Sequence, residues 1–128
     1  MSKLKVSFYC MFLFSLSVGF SIAADKDSND GAYFVLTHTI TDTDKYASEY
    51  VPLVLPFIGK YGGKVIVATF EAEPLQGSPA DGVVVIRFPS EEAVRGFVND
   101  PEYQPAKKLR LGITTNANAV LAPEFKLP

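Results

Sequence analysis

Between Ala32 and Ala122 the chain alternates strand-like and helix-like segments in one fixed order, and that order restricts the fold more than any single motif does. A strand-like run from Tyr33 to Ile40 leads into an amphipathic segment that ends at Tyr61-Gly62-Gly63. Two more strand-like runs follow, Lys64 to Glu73 and Val83 to Phe88, both dense in β-branched residues. Ser90 opens a capped helix, Pro101 opens a shorter one, and Thr114 to Ala122 leans to strand again. The expected order is β-α-β-β-α-β, an α+β fold.

The helix after Asp42 is set by periodicity. Tyr46, Tyr50, Leu53, Val54, Phe57, Ile58 and Tyr61 fall on one helical stripe. Pro52 and Pro56 interrupt it. Each lacks a backbone donor and crowds the carbonyl four residues back, so the sequence predicts a kink near Pro52. Gly62-Gly63 supplies the left-handed turn that a C-cap favours.

Strand faces also carry information. Phe34, Leu36, His38 and Ile40 share one face of the first strand. In the third strand Val84, Ile86 and Phe88 point one way, and Val83, Val85 and Arg87 the other. Helices can cover only one side of such a sheet, and the other should be polar. A sheet apolar on both faces implies a second cover, and a homodimer buried over Val83 and Val85 is expected.

The first 24 residues read as a secretory signal peptide. Lys3 and Lys5 form a positive start, Phe8 to Phe20 an apolar stretch, and Ser21-Ile22-Ala23-Ala24 a small-residue cleavage site. The apolar stretch is shorter than the roughly 20 residues that span a bilayer. A periplasmic or secreted protein is expected, with no membrane contact after cleavage. Residues 25–31 read as a flexible linker, 32–123 as the domain, and 124–128 as a tail.

Cleavage would remove Cys10, both Met residues, Lys3 and Lys5. The mature chain would then have no thiol for a disulfide, a metal or a nucleophile. Of the 12 basic residues, 10 would remain against 14 acidic ones, a formal charge of −4. That balance argues against a nucleic-acid surface. There is no G-x-S-x-G, H-E-x-x-H, Walker or dinucleotide fingerprint, and neither a cofactor nor a metal is expected.

A few residues can carry chemistry. His38 is the sole histidine and the one candidate base, though its apolar neighbours favour a partly buried strand histidine with a hydrogen-bond partner. Tyr46 and Tyr50, four apart, can line a pocket or simply pack. Tyr103 and Arg110 share one face of the short helix. Arg110 can clamp an anion through two donors, or it can anchor the helix by pairing with Asp100, Glu102 or Asp42. Arg87 stands on an apolar strand face, buried against a charge or exposed near a cavity mouth. The ligand-binding set read from the sequence is Arg110, Tyr103, Arg87 and Tyr50.

The ordered signals resemble a known family. Ala32-Tyr33, Thr41-Asp42, Tyr46, Tyr50, Tyr61-Gly62-Gly63-Lys64, Gln76-Gly77, Phe88-Pro89-Ser90, Ala93, Pro101-Glu102-Tyr103-Gln104 and Leu109-Arg110 together resemble the DUF1330 proteins of the dimeric α+β barrel superfamily. The resemblance implies a ferredoxin-like βαββαβ chain whose sheets pair face to face. It implies little chemistry, because the family is uncharacterised in function. The chain departs from the pattern at Thr43, Gln76, Arg87 and Phe97. The family usually has Glu where Gln76 and Arg87 stand, so no acid-base role at those positions carries over.

Two functions fit. One is a dimeric binding module for a small acidic or aromatic molecule. The other is a cofactor-independent enzyme of the superfamily's monooxygenase or isomerase type. The position of His38 separates them: open to a pocket with Tyr50, Tyr103 or Arg110 for the enzyme, sealed by Phe34 and Leu36 for the binder or a purely structural role.

Overall fold

Strand β1 spans Ala32–Ile40 in the computed structural model, which describes residues 30–128. The expected signal peptide, and all but the end of the expected linker, lie outside the described residues. Burial alternates residue by residue along β1, as a strand covered on one side requires. Asp42 then caps α1, Thr43–Lys45, by accepting the Lys45 amide at 3.0 Å. Tyr46–Tyr50 forms a π-helical turn, and α2 runs from Val51–Lys60. Pro52 has no amide to give the carbonyl four residues back, and the wider turn lies immediately before it. The expected kink therefore takes the form of a π turn.

Gly62 ends this arm with φ of 72°, which a residue with a Cβ adopts only under strain. The Gly63 amide reaches back to the Ile58 carbonyl at 2.8 Å. Strand β2 covers Lys64–Thr69, shorter than the run expected to Glu73. The Glu71 amide turns to the Thr69 hydroxyl, which takes the chain out of the ladder. Strand β3 spans Gly82–Phe88. Ser90 caps α3, Glu91–Asn99, through its hydroxyl and the Ala93 amide at 3.1 Å. The next helix, α4, begins at Gln104–Gly112 rather than at Pro101, because Pro101–Tyr103 form a turn pinned by Asp100. Strand β4 is Thr114–Pro123.

The four strands form one antiparallel sheet in the order β2-β3-β1-β4. This is the α+β, ferredoxin-like βαββαβ arrangement. The core lies between the helices and one sheet face. Phe88 stacks on Phe97 at 5.3 Å, and Phe34 meets Phe97 edge-on at 5.6 Å. Each such ring, fully buried, contributes about 1.5–3 kcal/mol.

Register places a row of valines across the opposite face: Val67, Val85, Val35 and Val120, one per strand. Val67 and Val120 are 41% and 47% exposed. Below the row, Arg87 binds Glu124 at 3.1 Å, and Glu124 also accepts from the Tyr33 hydroxyl. The Glu124 amide reaches the Gly31 carbonyl at 2.9 Å, so the ordered unit takes in the last linker residue and the first tail residue.

A second polar knot joins α2 to the turn after α3. Asp100 is buried and accepts from Lys60 Nζ and the Tyr61 hydroxyl, each at 2.7 Å. It also accepts from the Glu102 amide. The Lys60 bond above all, then Tyr61 and the amide, hold its carboxyl at about 2.

Candidate functional site

His38 sits near the end of β1 on the helix-covered face, fully buried. Its place is shaped on several sides. Opposite it, β4 bulges: Thr37 pairs with Asn118 and Thr39 with Thr115, so Asn116 and Ala117 face one residue. Asn116 has φ of 53°, a left-handed value that Asn tolerates better than most residues. Bulges often re-aim side chains beside functional sites. On β3, Gly82 pairs with His38, and a Cβ there would come within 2.6 Å of the imidazole. Only glycine leaves the ring its room.

Tyrosines continue the site. The Tyr46 ring lies 5.3 Å from the imidazole and 4.9 Å from Tyr50. The Tyr50 and Tyr103 hydroxyls meet at 3.3 Å. Tyr46 and Tyr50 bracket the π turn, which brings both to the core. Burial pushes the Tyr46 phenol up to about 12 and Tyr50 further, so both stay protonated.

Arg110 comes from α4. Its carbonyl accepts the Thr114 hydroxyl at 2.8 Å and the Ile113 amide at 3.1 Å, which fixes the helix end against β4. Its side chain is only 4% exposed with the residue as a whole. None of the carboxylates offered to it by the sequence reaches it. Asp42 caps α1, Asp100 is held by Lys60 and Tyr61, and Glu102 is exposed. The helix-anchoring ion pair is therefore absent. The hydrogen-bond partner expected for His38 is not found among the described residues either.

Four buried side-chain polar atoms lack a partner among the described residues: Nδ1 and Nε2 of His38, and Nε and Nη1 of Arg110. Buried polar groups are satisfied in the great majority of cases, so their concentration in two neighbours needs a reason. The two side chains sense each other. Burial first, then the Arg110 charge, lower the His38 pKa to about 4 against a smaller upward pull from Asp81. The imidazole is neutral at neutral pH.

An apolar cavity of about 140 Å³ adjoins the cluster. It lies between the π turn with α2 and the helix-side faces of β2 and β3. Tyr46 and Tyr50 line it, with Phe34, Leu36, Phe70 and Val65. A cavity near that volume accommodates a benzene ring. His38 and Arg110 stand behind the tyrosines rather than in the lining.

The structure thus brings together Arg110, Tyr103, Tyr50 and His38, and separates Arg87. Arg87 points from the opposite sheet face and is engaged with Glu124, so it cannot share this site. Sequence reasoning missed the part played by Asp81 and Gly82. The Asp81 carboxylate accepts the Ile40 amide at 2.9 Å, and the Asp-Gly pair at the start of β3 was its only signal. No cluster of metal-ligating side chains occurs among the described residues.

Solved structures share the fold. A protein of unknown function from Rhodopseudomonas palustris is 19% identical, with TM-score 0.63 over 77% of this chain and 85% of that one. SnoaB, a cofactor-independent oxygenase from Streptomyces nogalater, is 15% identical, with TM-score 0.54 over 77% and 94%. A hypothetical protein of Arabidopsis thaliana is 11% identical, with TM-score 0.58 over 77% and 92%. At these identities the likeness speaks to fold. No curated protein matches the chain. The family described as DUF1330, a domain of unknown function, matches residues 31–125, and the chain belongs to that family.

Proposed function

We propose that this protein is an exported, dimeric binding module for a small organic acid with an apolar, ring-sized body. The observation that carries the reading is the buried Arg110, whose Nε and Nη1 lack partners beside an apolar cavity. A buried cation with unmatched donors is costly, and a carboxylate oxygen supplies both the opposite charge and the missing acceptor. The cavity offers the apolar body a dry lining. Support for the dimer comes from the valine row on the uncovered sheet face. Export rests on the sequence of the first 24 residues alone.

The test is a thermal-shift screen of the mature protein against aryl carboxylates, short aliphatic acids and phenols. A ligand that binds only the folded state stabilises it by about 2.7 kcal/mol at a hundred times its Kd. Aryl carboxylates should raise the melting temperature of the wild type and leave that of Arg110→Met unmoved. An equal rise in both proteins, or none in either, removes the reading.

A cofactor-independent enzyme is the second reading. What favours it is a neutral imidazole grouped with Arg110 and Tyr46. No carboxylate accepts from His38 among the described residues to orient it as a base, and that favours the binder.

A further inference from the structure

We propose that the anion site at Arg110 takes its ligand together with one proton, which His38 holds, so that the complex tightens as the pH falls. The proposal rests on the acid-binding reading above and adds the regulation of that site. It starts from a count of donors and acceptors. Arg110 presents two unmatched donors, and neutral His38 one unmatched N–H and one unmatched lone pair. A carboxylate brings only acceptors. It can satisfy an arginine donor and one imidazole N–H, but never the lone pair. A proton on that nitrogen turns it into a second donor and removes the mismatch.

The charges around the ring lead the same way. Among the described residues, His38 feels Arg110 from α4, Asp81 from the segment before β3, and has Tyr46 of the π turn against its face. The bulge of β4 opposite it, Asn116 and Ala117, carries no titratable group. Without a bound anion, burial disfavours a second positive charge and the arginine repels it, while Asp81 favours it. A bound anion offsets the arginine and acts in the same sense as Asp81. Burial remains, but the imidazolium then has an acceptor. The proton is taken from solvent, and no bond other than N–H forms or breaks.

Because the chain has a single histidine, a tag-free protein reads this out directly. Benzoate serves as the probe, since a carboxylic acid of ordinary pKa stays ionised from pH 5.5 to 7.5. If its binding lifts His38 from about 4 to the ordinary 6.5, the Kd at pH 5.5 is about tenfold tighter than at pH 7.5. A smaller lift gives a smaller ratio, and a ratio of at least threefold is expected. Calorimetry in buffers of different ionisation enthalpy should show net proton uptake near pH 6. The imidazole resonances should titrate at higher pH with benzoate than without. His38→Gln should bind benzoate with one Kd across the range; if that variant does not fold, the imidazole titration of the wild type decides alone. Benzoate binding with a Kd constant within twofold and an unmoved imidazole titration overturns the proposal and leaves the acid-binding reading standing. No binding at millimolar benzoate at either pH overturns both.

Discussion

Arg110→Met should make the unliganded protein more stable, not less. Methionine keeps most of the length of the arginine stem and its packing, but brings no charge and no unmatched donor. Two arginine donors, Nε and Nη1, are buried without partners among the described residues. Leaving one buried group unsatisfied costs about 1–3 kcal/mol, more where the group is charged. Replacing buried charge by apolar groups of similar volume often stabilises by about 1–4 kcal/mol. A gain of at least about 1 kcal/mol is therefore expected. For a domain near 100 residues, each kcal/mol moves the melting temperature by about 4–8 °C. Urea unfolding at pH 7.5, in a buffer free of carboxylates and phosphate and at fixed protein concentration, measures it. Arg110→Ala is a poorer probe, because the cavity it leaves destabilises on its own account. A loss of more than about 1 kcal/mol in Arg110→Met, with unchanged m-value, would mean that the guanidinium holds the fold together, and the argument from its missing partners would be wrong.

Other expectations follow from the same structure. Val85→Asp places a charge in the middle of the valine row and should yield monomer or aggregate, whereas the wild type should sediment as a dimer at micromolar concentration; a wild-type monomer refutes the dimer. The folded His38 pKa is depressed to about 4, so the unfolded chain binds the extra proton between about pH 6.5 and pH 4 and stability falls as the pH falls through that window. The loss approaches about 3 kcal/mol at pH 4, and His38→Gln should not show it in urea titrations taken pH by pH. N-terminal sequencing of the native protein should begin at Ala24 or Asp25; a chain beginning at Met1 and found in the cytoplasm excludes export.

The strand faces were legible because alternation needs no knowledge of what lies across the sheet. Phe34, Leu36, Ile86 and Phe88 could be assigned to one side from spacing alone, and all four are buried. The α3 cap at Ser90 was legible for the same local reason. The π turn was not. Tyr46 and Tyr50 fit an α-helical stripe equally well, and the extra residue shows only in the bond from the Val51 amide to the Tyr46 carbonyl. Strand β2 was read too long, since β-branched content does not say where a hydroxyl will take the next amide out of the ladder.

The site was legible in its members and not in their relations. Spacing put Tyr103 and Arg110 on one helix face, and elimination left His38 as the one base. Whether Arg110 would find a carboxylate depended on residues about 40 positions from Asp100. Lys60 and Tyr61 take Asp100, and the anchoring that the sequence suggested for Arg110 is done by that knot instead. The same dependence separated Arg87 from Arg110, since strand parity sends it to the uncovered face where Glu124 meets it. Asp100 pins the turn before α4 and the Thr114 hydroxyl binds the Arg110 carbonyl behind it, and neither hydrogen bond involves the guanidinium. A buried cation beside a neutral histidine, with Nε, Nη1 and both ring nitrogens unmatched among the described residues, is what the proposed acid site would account for.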